Sequence, residues 1–138
     1  LSVVFISIRI FKIKTIFLVF QIEKEKTMKF KAVNKNKEFI KAYRKGKCSV
    51  QPGVVVYCIK NRYHGTRIGI TSSKKIGCAV KRNRSRRVIR AAIRSLNLDM
   101  SKGYDLIFVA RGKTARLKSY QVADMINLRL RETGYLDA

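Results

Sequence analysis

The side chains best placed to do chemistry in this sequence are arginines. Arg82, Arg86 and Arg90 follow one another at intervals of four, Asn83, Arg84 and Arg87 fall between them, and Arg94 extends the row. On a helix that interval sets the guanidinium groups about 6 Å apart along the axis, a spacing suited to successive phosphates of one strand. A guanidinium is the apt group for such a row. Its planar fork grips phosphate oxygens bidentately, and its face stacks on bases. Catalytic groups are wanting by comparison. The single histidine, His64, stands between Tyr63 and Gly65 in a turn, isolated from any nucleophile or metal-ligand partner. Glu38, Asp99, Asp105, Asp124, Glu132 and Asp137 are scattered, and no acid/base or nucleophilic constellation forms among them. Cys48, Cys58 and Cys78, ten and twenty apart, match neither a zinc pair nor an even disulfide framework. They are expected to be reduced core residues.

The helix that must carry the arginines is clear. Residues 80 to 98 lack acid, proline and glycine, and Val88, Ile89, Ala92, Ile93 and Leu96 recur at helical spacing. At 100° per residue they share one arc, whereas Arg82, Asn83, Arg86, Arg87, Arg90 and Arg94 fill the opposite one. A merely solvated face would interleave acids, because like charges four apart destabilise a helix by a few tenths of a kcal/mol per pair. Here the repulsion stands unrelieved, which points to a bound polyanion.

Composition agrees. The chain has 138 residues, 46% of them hydrophobic, enough for one core. Against 8 acidic residues stand 32 basic ones, a net charge of +24. Such a chain repels itself until a polyanion neutralises it. Nucleic acid fits that need directly, through phosphate contacts and counterion release, whereas a membrane surface needs an anchor as well.

Residues 1–27 differ in kind. They are rich in Ile, Phe and Val, but Arg9, Lys12 and Lys14 interrupt the apolar runs, and the longest unbroken stretch is only residues 16–20. That is short of the roughly 20 apolar residues a spanning helix needs, and no signal-peptide pattern is present. Met28 opens a run that reads as an ordinary start, so residues 1–27 are expected to be an extension, either upstream translated sequence or a disordered segment, with the domain proper at 28–138.

Within the domain, a first helix is expected over residues 34–46, capped by Asn34 or Asn36 and closed by Gly46. Pro52-Gly53 signals a turn. Residues 54–59 read as a buried strand and residues 67–72 as a strand with one wet face, the two forming a hairpin across the turn at 61–65. After the basic helix come a strand at 104–110 and a final helix at 119–132, capped by Ser119 and ended by Gly134. Helices and strands mixed this way imply a two-layer α/β sandwich, in the order α-β-β-β-α-β-α.

One segment adds a resemblance. Residues 67–94, RIGITSSKKIGCAVKRNRSRRVIRAAIR, resemble the signature of the bacterial ribonuclease P protein family in Lys74-Lys75-Ile76-Gly77, in Ala79-Val80, and in Arg82-Asn83-Arg84 with the basic helix after it. The likeness runs from about residue 31 to 132. A tyrosine at 43 stands where phenylalanine is common, and Cys78 follows Gly77. The resemblance implies a left-handed β-α-β crossover through the basic helix, an exception to the usual rule. It implies a holoenzyme in which a catalytic RNA removes the 5′ leader of precursor tRNA with Mg2+ held mainly by the RNA, the protein having no dedicated metal site and no catalytic residue. Arg82, Asn83, Arg84, Arg86, Arg87, Arg90 and Lys75 would meet the RNA subunit. Phe39, Tyr43, Tyr57, Ser73 and Lys74 would line a cleft for the single-stranded leader. The expected setting is the cytoplasm, with no membrane and no obligate protein partner. A ribosomal protein or a duplex-DNA regulator would share the charge but would not need this signature.

Overall fold

A computed structural model of the chain describes residues 30–136. The extension at residues 1–27, with its expected origin, lies outside the described residues. Eight regular elements follow in order: β1 (Lys31–Ala32), α1 (Asn36–Lys45), β2 (Lys47–Val50), β3 (Val54–Lys60), β4 (Arg67–Ser72), α2 (Ala79–Ser95), β5 (Tyr104–Ala110) and α3 (Ser119–Glu132). Short 3-10 turns at Lys74–Ile76 and Thr114–Arg116 precede α2 and α3. The five strands form one sheet in the order β1-β4-β5-β3-β2.

The mixed α/β sandwich is as expected, but its central pairing is not the expected hairpin. β3 and β4 do not touch as neighbours. β5 lies between them, antiparallel to β3 and parallel to β4. The reason is the apolar load of β5: Leu106, Ile107 and Phe108 are all buried, so the strand needs a partner on each edge and cover on each face. The hairpin that does form joins β2 to β3 around Pro52-Gly53, with Val50 opposite Val55 and the Gln51 N–H donating to the Val54 carbonyl at 3.0 Å. The connection from β4 to β5 is thus a crossover between adjacent parallel strands, made through the basic helix.

Alternation along β5 divides the interior in two. Leu106 and Phe108 face α2 and α3, packing with Ile89, Ile93, Ile126 and Leu130. Ile107 and Val109 face the other way, where α1 lies with Ala42 and Phe39 beside Val33. The sheet and the α2–α3 layer form the main sandwich, and α1 covers part of the opposite face.

Helix ends differ in detail from the expected ones. α1 is capped by Lys35 and not by an asparagine, and Gly46 closes it in an extended conformation, donating to the Ala42 carbonyl at 2.9 Å. Space decides for glycine there, since a Cβ would sit 2.5 Å from that carbonyl oxygen. α2 stops at Ser95 because the chain leaves the helix at Leu96 and drops Leu98 into the main core. For α3 the cap is Lys118, whose N–H donates to the Gln121 side chain, so that Ser119 is already helical. Of the cysteines only Cys58 is a core residue; Cys48 and Cys78 are exposed, one on the outer strand β2 and one at the start of α2, where neither has a layer above it.

Candidate RNA interface

The basic helix presents its charge much as its sequence requires. Ile89, Ala92 and Ile93 are buried against the sheet, joined by Ser85, whose hydroxyl donates back to the Lys81 carbonyl. Arg84, Arg87, Arg90 and Arg94 are exposed. Arg82 and Arg86 are half-buried, because the two arcs meet at their positions beside Ile89 and Ile93. Arg86 donates to the Asn83 side chain, and together with Arg87 and Arg90 these residues line one shallow depression. Arg84 is tied down, its Nε donating to the Ala115 carbonyl at 2.8 Å. Lys74 and Lys75 project from the turn just ahead of the helix.

Among the described residues no acidic side chain pairs with this face. Among the described residues Glu38 and Asp105 pair with Arg67, Glu132 pairs with Arg129, and Asp99 accepts from Ser101. No α2 arginine joins an ion pair among the described residues. Repulsion along the helix is therefore left for an external polyanion to relieve.

A second set of side chains gathers across the sheet. From α1, Phe39 and Tyr43 lie with ring centroids 6.4 Å apart, and Tyr43 meets Tyr57 of β3 edge-on at 5.0 Å. Gly69 makes this possible: a Cβ there would press to 2.8 Å from the Phe39 ring. Tyr43 remains 41% exposed, with ring surface left to offer. Burial raises the Tyr57 hydroxyl above the usual phenol range, helped by the Cys48 thiol beside it. The Tyr43 hydroxyl lies 3.5 Å from Thr71 Oγ1, and β4 ends one residue later, where exposed Ser73 and Lys74 follow. Phe39 also borders a depression at the β1–β4 edge, where Ile70, Arg90 and Arg94 face it. That contact brings the aromatic set and the arginine row together at one place.

The family model described as Ribonuclease P matches residues 27–133 of this sequence. The chain belongs to the ribonuclease P protein family. Ribonuclease P protein components from two bacteria illustrate the likeness. That of Clostridium botulinum strain 657 is 44% identical over 88 residues, covering 63% of this chain and 79% of the relative. That of Caldanaerobacter subterraneus subsp. tengcongensis is 37% identical over 110 residues, covering 80% and 92%. In three dimensions the RNase P protein of Staphylococcus aureus superposes with a TM-score of 0.62 at 29% identity, over 75% of this chain and 94% of that one. The resemblance read from residues 67–94 thus holds across the domain.

The described residues contain no group of three or more His, Cys, Asp or Glu side chains able to hold an ion, and the pair Glu38 with Asp105 encloses Arg67. Among the described residues no helix is long and apolar enough to cross a membrane. Sequence reasoning put Arg94 on the basic face but missed its place beside Phe39, and it missed the cations of the β5–α3 connection. Arg111, Lys113, Arg116 and Lys118 sit in irregular chain, where no periodicity marks a common face.

Proposed function

We propose that this chain works as the protein component of ribonuclease P, assembling with a catalytic RNA that cleaves the 5′ leader from precursor tRNA in the cytoplasm. The observation that carries the reading is an arginine face on α2 that has no acid partner among the described residues, on a chain of this family. Arg82, Asn83, Arg86, Arg87, Arg90 and Lys75 contact the RNA subunit. Arg84 joins them through its remaining guanidinium nitrogens while its Nε holds the Ala115 carbonyl. Phe39, Tyr43 and Tyr57 receive bases of the leader, with Ser73 and Lys74 toward its backbone. Stacking rings suit many different leaders, because every base has a π-face, and each stacked base is worth about 1–3 kcal/mol.

Bond cleavage belongs to the RNA with the Mg2+ it holds. The protein's share is electrostatic and positional. Its cations neutralise phosphates where two RNAs approach, so that less metal is needed to overcome their repulsion. No other protein is required for this. The test is cleavage of a precursor tRNA at low magnesium, with the RNA subunit alone and with the purified protein added. Rescue by the protein is expected; equal rates with and without it would refute the assignment.

A further inference from the structure

A groove of about 870 Å³ shares Asn83, Arg84 and Arg87 with the arginine face, but its remaining lining belongs to neither set of residues above. It runs along the side of α2 that faces the start of α3, whereas the aromatic cleft meets the other side of the helix. Its volume falls in the range of about 300–1,000 Å³ typical of sites that bury a small group. Two exposed apolar side chains border it, Val80 at 76% and Tyr120 at 61%. Four cations surround them, Arg84, Arg87, Arg116 and Lys118, and the lining contains no Asp or Glu. The far wall is fixed by the bond from Arg84 to the Ala115 carbonyl, which ties the Thr114–Arg116 turn to α2.

A protein partner for so basic a groove would have to be strongly acidic. An open tyrosine ring ringed by cations has the make-up of a platform for an unpaired nucleotide: a flat face for the base and charge for the phosphates on either side. Continuity argues for the source. Asn83 and Arg87 line both this groove and the arginine depression on α2, so a strand held there passes into the groove without leaving positive surface. Beyond it, Arg116 also borders a depression with Arg111, Lys113 and Ile76, next to the lysine turn.

Resting on the ribonuclease P reading, we infer that this groove is a second docking site for the catalytic RNA, seating an unpaired nucleotide with its base on Tyr120 and its phosphates against Arg87, Arg116 and Lys118. The groove widens the contact from one helix face to a band that wraps α2.

The test measures affinity of the full-length protein for the ribonuclease P RNA of the same organism across a salt series. Tyr120→Ala is expected to weaken binding about 5- to 150-fold, the counterpart of about 1–3 kcal/mol per stacked base, with the salt slope unchanged. Tyr120→Trp should keep the parent affinity. Arg116→Ala with Lys118→Ala should instead flatten the slope by up to about two, one per lost phosphate contact. Tyr120 is too exposed to support the core, and far-ultraviolet circular dichroism of each variant verifies that. Parent-like affinity in Tyr120→Ala overturns the inference, as does a loss confined to precursor tRNA binding by the assembled holoenzyme. A change in self-association at constant RNA affinity would assign the groove to a second copy, and so also overturns it. Failure of the broader reading looks different: the parent protein itself would not bind the RNA.

Discussion

Arg67 donates to both carboxylate oxygens of Asp105, from Nε at 2.9 Å and from Nη2 at 2.6 Å. Its third nitrogen reaches Glu38 at 2.8 Å, and Asn61 completes the set by donating to Asp105 at 2.7 Å. One guanidinium thus clamps β4 to β5 and holds α1 over them, which sets the height of the aromatic cleft. Asp105 first, then Glu38, raise the Arg67 pKa above its usual value, so it is a cation at every working pH. Both ends of the pair are mostly buried, with side-chain exposures of 13% and 10%. Asp105→Ala, which leaves Arg67 only its Glu38 partner, should therefore lower unfolding stability by about 3 kcal/mol in a urea titration. Glu38→Ala leaves Asp105 in place and should cost about 1 kcal/mol.

Arg90 is exposed on α2 and Arg86 lies at the margin of its basic face. Neither supports the core, so their replacement should act on binding and leave folding unchanged. Arg86→Ala and Arg90→Ala should each weaken assembly with the RNA subunit and flatten the dependence of log affinity on log salt by about one. Filter binding at several potassium concentrations reads this. Slopes equal to the parent's would exclude both side chains from phosphate contact.

Tyr43 stands edge-on to Tyr57 and keeps an open face. Tyr43→Ala should reduce affinity of the holoenzyme for precursor tRNA by about 5- to 150-fold, the equivalent of one lost stack, and leave mature tRNA unaffected. Tyr43→Phe should behave as parent, since the bond to Thr71 is long. An equal loss for both tRNAs would remove Tyr43 from leader binding.

The cysteines should separate by reactivity. The Lys81 N–H at the start of α2 lowers the pKa of the Cys78 thiol, so more of it is thiolate at neutral pH. Burial pushes Cys58 up to about 11, which keeps it a neutral thiol. Iodoacetamide at pH 7.5, followed by mass spectrometry, should label Cys78 well before Cys58, and bound RNA subunit should slow the Cys78 reaction. For Cys58 the raised value also fixes a sign. The unfolded thiol ionises near 9 while the folded one holds its proton to about 11, so its contribution to stability is complete below 9 and falls away as pH rises toward 11. Stability rising over that window would contradict a buried neutral thiol.

Local pattern alone places most of the elements. Residues 67–72, 104–110 and 119–132 are bounded in the sequence as they are in the structure, because alternation, apolar runs and a Lys-Gly break mark them directly. What local pattern cannot carry is pairing. Alternation tells which way Ile68 and Ile70 point but not which strand lies alongside, so the natural guess joined neighbours in sequence and overlooked β5. The two-residue strand β1 has no period to read at all. At the candidate interface the arginine row is legible because a helix repeats it, and Phe39 with Tyr43 entered as candidates only through resemblance. The cations from Arg111 to Lys118 form a surface only through the turn that Arg84 fastens down.

Because β5 occupies the middle of the sheet while being the last described strand along the chain, the order of synthesis matters. A nascent polypeptide halted before Tyr104 has already produced every arginine of α2, yet β3 and β4 still lack the strand that unites them. Until β5 is made, the emerging polycation has the charge of α2 without the sheet that gives it a fixed place.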